Sequence, residues 1–290
     1  MSKVTRTDIQ WCDYSVNPIR ALTIGRSLGW HCERVSEGCA HCYSATLNKR
    51  FGTGLDYAAD KTPRVEFYLD GEAIRHMLTF KPRGPFKNGR ERAAVFPFDM
   101  TDLFGHWVPD EWILKIFAVF VRRQDVDFLV LTKRSRRMRE TVQRLVDMNG
   151  RPFQNVWLGV SAENQERADE RIPELLATPA AVRFVSLEPL LGPMNVGPLL
   201  GRGAGIPKIH WAIVGGESGH GARPCDVSWI RDIRDQCNAA GVPLFLKQLG
   251  AYPIIDTRYI EPGATRRLKD RKGGDPAEWS EDLRVREMPR

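Results

Sequence analysis

The sequence is poor in cysteine, with 6 in 290 residues, far below the density of a disulfide scaffold. Glycine (25) and proline (19) stay near ordinary usage, which excludes collagen-like and low-complexity chains. Long apolar runs are missing: Trp112 to Val121, the longest, is broken by Lys115 and is too short to span a bilayer. Residues Met1 to Gln10 are polar and lack an apolar signal-peptide core, so no secretory leader is expected. No glycine-rich dinucleotide fingerprint follows the first strand-like segment. The expectation is a cytoplasmic protein with no membrane partner. At 42% hydrophobic and 27% charged, the chain has enough apolar material for a real core.

What is present begins with charge. Forty-three Lys and Arg against 36 Asp and Glu leave +7, which points to a polyanionic partner such as nucleic acid or a phosphorylated small molecule. Two segments concentrate it. Lys81 to Arg92 carries five basic residues and one acidic, and Lys133 to Arg151 seven against two, among them Arg134, Arg136, Arg137 and Arg139. Such segments form either a solvated face or a phosphate-tracking groove.

From residue 94 onward, short apolar runs recur: 94–98, 127–131, 155–160, 182–186, 210–214 and 242–246. Helical stripes lie between them, at Pro109 to Arg123 (Trp112, Ile113, Ile116, Phe117, Phe120) and at Ser228 to Ala240, where Gly241 marks the stop. Strands buried on both faces and separated by helices predict a parallel α/β sheet. With an N-terminal strand near Ile9 to Val16, the expected fold is a full or partial (β/α) TIM-like barrel, with an open doubly wound sheet as the alternative. The barrel is expected over residues 1–255 as a single domain. A peripheral basic insertion at about 52–92 holds a strand at Arg64 to Leu69 and a helix at Glu72 to Phe80, residues 201–208 form a loop, and 256–290 form a charged C-terminal tail, peripheral or partly disordered.

Chemistry in a parallel barrel gathers at the carboxyl ends of the strands. Those ends here carry Asp99, Thr101 and Asp102; Thr132, Lys133 and Arg134; Ser161, Glu163 and Asn164; Ser186 and Glu188; Gly215, Gly216, Glu217 and Ser218; and Lys247 and Gln248. Gly215 and Gly216 are read either as a tight turn or as a place where backbone approaches a ligand.

Three of the cysteines, Cys32, Cys39 and Cys42, crowd into eleven residues just before an expected helix at Tyr43 to Phe51. Thiols so placed reach one metal centre, and a helix N-terminus favours their thiolates. A closed structural zinc needs a fourth ligand, for which His31, His41 and Cys12 are candidates. A [4Fe-4S] cluster on three cysteines leaves one iron open for chemistry. Both readings stand on the residues alone.

The wording of the chain resembles a phage and bacterial family of three-cysteine-motif proteins of unknown function, radical-SAM-like and distantly similar to spore photoproduct lyase. The likeness covers roughly residues 8 to 252 and rests on Ile9-Gln10-Trp11-Cys12-Asp13, Asn17-Pro18, the run from Ser36 to Tyr43, Met100 to Phe104, Leu131 to Arg134, Val156 to Ser161, Ser186 to Leu191, Gly215 to Gly219 and Lys247 to Gly250. One departure is the spacing C-x6-C-x2-C in place of the superfamily's usual C-x3-C-x2-C. The resemblance implies a radical SAM type barrel with Cys32, Cys39 and Cys42 holding a [4Fe-4S] cluster, and S-adenosylmethionine (SAM) as cofactor. It implies His41 and Tyr43 near the adenine, Asp99 or Asp102 at the SAM amino group, and Ser161 or Glu163 at the ribose. Ser186, Glu188, Gly215, Gly216 and Glu217 would also line the cofactor site, and Lys133, Arg134, Lys247 and Gln248 would receive a phosphate or carboxylate of the substrate. A nucleic-acid base (DNA) or nucleotide is the implied substrate, in repair or hypermodification, with flavodoxin or ferredoxin as electron donor. The rival expectation is a non-catalytic nucleic-acid-binding or regulatory protein with a structural zinc.

Overall fold

The structure, a computed structural model, describes residues 3–25, 27–201, 207–255 and 268–289. Its contacts divide the chain into two units, one of residues 1–158 with 178–181, the other of 159–177 with 182–290.

In the first unit, β1 (Thr5–Arg6) pairs antiparallel with β2 (Tyr14–Val16). A separate antiparallel sheet follows, in which β3 (Ile19–Thr23) is flanked by β4 (Leu28–Gly29) and β5 (Val65–Leu69). Helix α1 (Tyr43–Phe51) lies between β4 and β5 in the chain, and α2 (Gly71–Thr79) starts where Asp70 accepts from the Glu72 and Ala73 amides at 3.0 and 3.1 Å. β6 (Ala93–Pro97), buried along its whole length, runs parallel to β2 with Tyr14 beside Val95. It is also parallel to β7 (Val126–Thr132), with Ala93 beside Val126. Between these strands α3 (Asp110–Arg122) buries Ile113, Ile116, Phe117 and Phe120, and after β7 α4 (Ser135–Asn149) buries Met138, Val142 and Leu145. β8 (Val156–Ser161) straddles the division between the units.

The second unit holds α5 (Gln165–Ala177), β9 (Val182–Leu187), β10 (Trp211–Gly215), β11 (Cys225–Asp226), α6 (Val227–Ala240), β12 (Leu244–Gln248) and β13 (Pro253–Ile254). β9 and β12 both run parallel to β10, with Trp211 beside Phe184 and Ala212 beside Leu244. Helix α6 starts on Asp226, which accepts from the Ser228 amide at 2.8 Å, and ends at Gly241, whose φ of 66° is a left-handed cap that suits glycine.

The expected full or partial TIM-like barrel of radical SAM type is not what forms. The strand order is β1-β2-β6-β7-β8-β9-β10-β12, a mostly parallel open sheet. An antiparallel strand, β1, takes the flank of β2 that barrel closure would need. The C-terminal segment takes the flank of β12, where Phe245 bridges Arg286, the Leu246 amide donates to Val285 at 2.9 Å and the Glu287 amide donates to Leu244 at 2.9 Å. The N-terminal strand expected over Ile9 to Val16 is limited to Tyr14–Val16.

The expected tail divides. Residues 256–267 lie outside the described residues, as do 202–206 of the expected loop. Residues 268–289 are folded onto the second unit: Trp279 and Leu283 are 3% and 2% exposed, and the Trp279 indole donates to Gly273 at 3.0 Å. The expected insertion at 52–92 does contain a strand (β5) and a helix (α2), both within the first unit. Among the described residues, no helix is long and apolar enough to cross a membrane.

Candidate functional site

The segment from His31 to Cys42 joins β4 to α1. It contains one turn of 3-10 helix, Glu37–Cys39, and delivers Cys42 to the N-cap of α1. Serine or aspartate at such a cap would bond the first-turn amides, but Cys42 makes no side-chain cap bond. Helix α1 is instead pinned by its next two residues: the Tyr43 and Ser44 hydroxyls donate to the Asp99 carbonyl at 3.0 and 2.6 Å. That carbonyl follows Phe98, which ends β6 in the left-handed region at φ 69°.

Asp99 and Asp102, expected to act alike, have different surroundings. Asp102 is 5% exposed, and both its oxygens are engaged. Oδ1 accepts from the Phe104 amide at 2.9 Å and the Thr132 hydroxyl at 2.7 Å, and Oδ2 from Arg134 Nη1 at 3.1 Å and the Lys133 amide at 3.3 Å. Asp99 is half-buried and accepts from Asn17 Nδ2 at 2.5 Å through Oδ1. Burial raises its pKa above the ordinary carboxylate value, against the Asn17 bond.

Arg134 ties this acid to the thiols. Its guanidinium lies 4.7 Å from the Trp107 ring centroid, Nη2 is 3.8 Å from Glu33 Oε2, and its charge acts on Cys32. Burial works against its charge, but Asp102 and Cys32 hold it above its ordinary value. Cys32 is pushed up to about 12, first by burial and then by Asp102, with Arg134 opposing and Cys42 and Cys39 adding to the rise. Cys39 and Cys42 therefore both act on Cys32. All three are half-buried, and none is in a disulfide.

Beneath them, His31 is 1% exposed, ringed at 5.8 Å by Tyr57, Phe67 and Trp107. The Thr62 hydroxyl donates its one proton to Glu33, so at 3.0 Å it accepts from His31 Nε2. Nδ1 is then the lone-pair nitrogen, buried without a hydrogen-bond partner. Burial lowers this imidazole to about 4, with Arg134 and His106 adding and Glu33 opposing. Glu33 also receives His106 Nε2 at 3.0 Å.

The donors match a cysteine-ligated cluster in number and kind: three thiols outside any disulfide, one at a helix N-terminus where it makes no side-chain cap bond. Among the described residues, no three His, Cys, Asp or Glu side chains stand ready to hold a metal ion, so binding would require residues 32–42 to draw together.

Most of the remaining expected residues fall in the second unit, in separate polar pairs. Glu163 and Arg171 are a fully buried pair at 3.1 Å, and Arg171 also donates to the Ser161 carbonyl at 2.8 Å. Ser186 donates to Glu188 Oε2 at 3.1 Å, and Lys247 Nζ lies 3.1 Å from Glu188 Oε1. Gly215 borders this pair, since a Cβ there would stand 2.8 Å from Glu188 Oε1. At Gly216 a Cβ would stand 2.3 Å from the Leu249 carbonyl, while Gln248 Nε2 donates to the Gly216 carbonyl at 2.9 Å. Glu217 is held by Arg223 at 2.5 Å. His41 is exposed, and Cys12 is fully buried.

The basic segments are largely engaged within the protein. Arg137 and Arg144 meet Asp110 at 2.9 and 2.8 Å, Arg136 meets Glu140 at 3.0 Å, and Arg90 and Arg92 meet Asp127 at 2.6 and 3.0 Å. Lys133 is half-buried and has no carboxylate partner among the described residues. Sequence reasoning missed Glu33, Tyr57 and Trp107. Tyr57 donates to the Met100 carbonyl at 2.6 Å, and burial, then Cys32 and Cys42, keep its phenol well above its ordinary value. Only the position of Glu33 beside Cys32 offered a signal.

Residues 6–278 match a family model described as "Protein of unknown function (DUF5131)". No curated protein and no solved structure matches the chain.

Proposed function

We propose, from the premise that the chain belongs to the DUF5131 family of proteins of unknown function, that it is a radical SAM-like [4Fe-4S] enzyme acting on a nucleic-acid base or nucleotide. The observation that carries this reading is the segment 32–42, which holds Cys32, Cys39 and Cys42 outside any disulfide, ends with Cys42 at the N-terminus of α1 and lets Cys39 and Cys42 both act on Cys32. Held by these three residues, a cluster would leave one iron for SAM and supply the electron that cleaves its sulfonium to a 5′-deoxyadenosyl radical.

The chain's own residues divide the remaining work. Asp99, with one oxygen on Asn17, is the carboxylate suited to an ammonium such as the SAM amino group, whereas Asp102 is saturated and holds Arg134 in place. Lys133, whose ammonium has no carboxylate partner among the described residues, suits a phosphate or carboxylate of the substrate. Ion pairing within Lys133 to Arg151 favours a single base or nucleotide over a long phosphate track. In the second unit, Lys247 and Glu188 offer a paired cation and anion beside a glycine backbone. A reducing cytoplasm would suit such thiols, and an electron carrier would be needed.

Anaerobic reconstitution with iron and sulfide tests the reading. It should give a brown protein whose iron content falls to background in the Cys32→Ala, Cys39→Ala and Cys42→Ala variants, and dithionite with SAM should yield 5′-deoxyadenosine. A colourless protein carrying one tight zinc and inert to SAM would overturn it.

A further inference from the structure

The ladder between β10 and β12 skips one residue. Val214 lies beside Leu246 and Gly215 beside Gln248, so Lys247 is an extra residue of β12, a bulge that no residue of β10 registers. A bulge re-aims its side chain, and the backbone groups it takes out of the ladder need partners from elsewhere. Here the re-aimed side chain is one half of an ion pair. Lys247 Nζ lies 3.1 Å from Glu188 Oε1, and the other oxygen of Glu188 accepts from the Ser186 hydroxyl at 3.1 Å. Both side chains keep some access to solvent, 25% and 12%, at the carboxyl ends of three adjacent parallel strands, where open α/β sheets bind their ligands. Glu217, which follows β10, is held by Arg223 at 2.5 Å and does not compete for Lys247.

The missing backbone partners come from the C-terminal segment. Arg286, which bridges Phe245 on the other flank of β12, donates through Nε to the Leu246 carbonyl and through Nη2 to the Lys247 carbonyl, both at 3.2 Å. Nη2 also donates to the Gly274 carbonyl at 2.9 Å. Among the described residues every hydrogen bond of this guanidinium goes to a backbone carbonyl, so it fixes chain geometry; it also lies 5.5 Å from the Phe245 ring centroid and 5.1 Å from that of Trp279. Just past the bulge, the Leu249 amide donates to the Gly273 carbonyl at 2.8 Å. Gly273 sits at φ 64°, and a Cβ there would stand 2.6 Å from the Gly250 carbonyl, so the two backbones touch. The segment is anchored in turn by Asp282, which pairs with Arg231 and Arg234 of α6 at 2.8 and 2.6 Å. On one flank β10 holds Leu246 and Gln248; on the other, the C-terminal segment holds Leu246, Lys247 and Leu249.

We propose that Arg286 is a positioning residue: it holds the Lys247 bulge so that the ammonium meets Glu188 and presents its remaining N–H bonds to an anionic group, a phosphate or carboxylate, of the substrate. The inference rests on the proposed function for its purpose, since that reading makes the Lys247–Glu188 pair part of the substrate site. Arg286 itself lies beyond residues 6–278, the span the family model matches.

The test follows the Lys247 ammonium in the metal-free full chain by proton–nitrogen correlation spectroscopy of lysine-labelled protein in mildly acidic buffer, with Lys247→Arg identifying its signal. In wild type the paired ammonium should exchange slowly with water, and inorganic phosphate should shift its signal saturably. Arg286→Met should speed that exchange at least fivefold and raise the half-saturating phosphate concentration at least fivefold, with unchanged circular dichroism. Glu188→Gln should speed exchange to a similar extent, and adding Arg286→Met to it should speed it no further, because both changes release the same pair. Ile172→Ala, which opens the core under α5, should lower the melting temperature at least as much yet leave the Lys247 signal and its phosphate response as in wild type, which separates positioning from stability. Should Arg286→Met fail to fold, Arg286→Lys, which keeps the charge but not the fork of donors, carries the same test with an intermediate effect. A Lys247 signal and phosphate response indifferent to Arg286 overturn the proposal, as do a wild-type signal that ignores phosphate and an Ile172→Ala variant that reproduces the effect. Iron content after anaerobic reconstitution should be equal in wild type and Arg286→Met. If no cluster assembles in either but Lys247 behaves as described, the iron–sulfur reading fails and the positioning stands.

Discussion

Arg134 Nη1 donates to Asp102 Oδ2 at 3.1 Å, and through this bond a carboxylate at the end of one strand-to-loop junction fixes a guanidinium that reaches Cys32. The two residues lie 32 positions apart, after β6 and β7 respectively.

Removing Asp102 should be costly, because Arg134 would be left largely buried without its main counter-charge and Thr132 and the Phe104 amide would lose their acceptor. Asp102→Ala is expected to destabilise the protein by about 2–4 kcal/mol. The double variant Asp102→Ala/Arg134→Met should cost less than the sum of its single changes by roughly 1–2 kcal/mol. Denaturant unfolding of the four proteins measures both quantities; additive costs would mean that the pair is not coupled.

Acid should weaken the metal-free fold through His31. Burial holds its imidazole at about 4, below the unfolded value of about 6.5. As pH falls through that window the unfolded chain takes up a proton that the folded chain refuses, so stability declines, and below about pH 4 the loss from this residue levels off. The loss should be on the order of 1–3 kcal/mol. Melting curves of wild type and His31→Phe from pH 7 to pH 4 isolate it: the wild type should lose stability relative to the variant as pH drops.

Thiol reactivity should sort the cysteines in the metal-free protein. Burial pushes Cys225 and Cys237 up to about 12, so both should resist iodoacetamide at pH 8. Cys32 should also react slowly, because burial and Asp102 raise it to about 12, and Arg134→Gln should slow it further by removing the opposing charge. Cys39 and Cys42, half-buried, should be labelled first. Peptide mass spectrometry over time gives the order; early labelling of Cys225 would contradict the packing around it.

Gly216 has no room for a methyl group, since the obstructing Leu249 carbonyl is backbone, 2.3 Å from where a Cβ would stand. Gly216→Ala should therefore cost about 1–3 kcal/mol and displace the Gln248–Gly216 contact. A thermal melt unchanged from wild type would show that this backbone approach is not tight in solution.

Much of the strand pattern is written in local composition. Buried strands must be apolar throughout, and the expected 94–98 is the observed Ala93–Pro97 shifted by one residue, while the expected 127–131 lies inside Val126–Thr132, one residue short at each end. Whether such strands close into a barrel is not local. It depends on which partner takes the flanks of β2 and β12, and those partners, Thr5–Arg6 and residues 285–287, carry no strand-like run. The β3–β5 pairing was hidden for a similar reason, because it joins Ile19 to Leu69 across the cysteine segment. The crowding of Cys32, Cys39 and Cys42 is visible in the chain, but among the described residues their side chains do not stand together as a metal-ligating group. The unequal roles of Asp99 and Asp102 were not, because they are set by Asn17 and Arg134, residues remote in sequence.

Phe98 places an unusual demand on the chain. A side-chain-bearing residue at φ 69° carries backbone strain of order 1–3 kcal/mol, and glycine would normally be favoured there. Yet the ring is 2% exposed, and deleting it would open a cavity costing about 3–5 kcal/mol. A β-branched residue fails in the other direction, since it tolerates positive φ even less. Position 98 is thus a narrow passage in sequence space, where neither a smaller nor a stiffer residue passes. Any evolutionary drift in the loop that carries Asp99 and Asp102 must keep step with the interior that holds this ring.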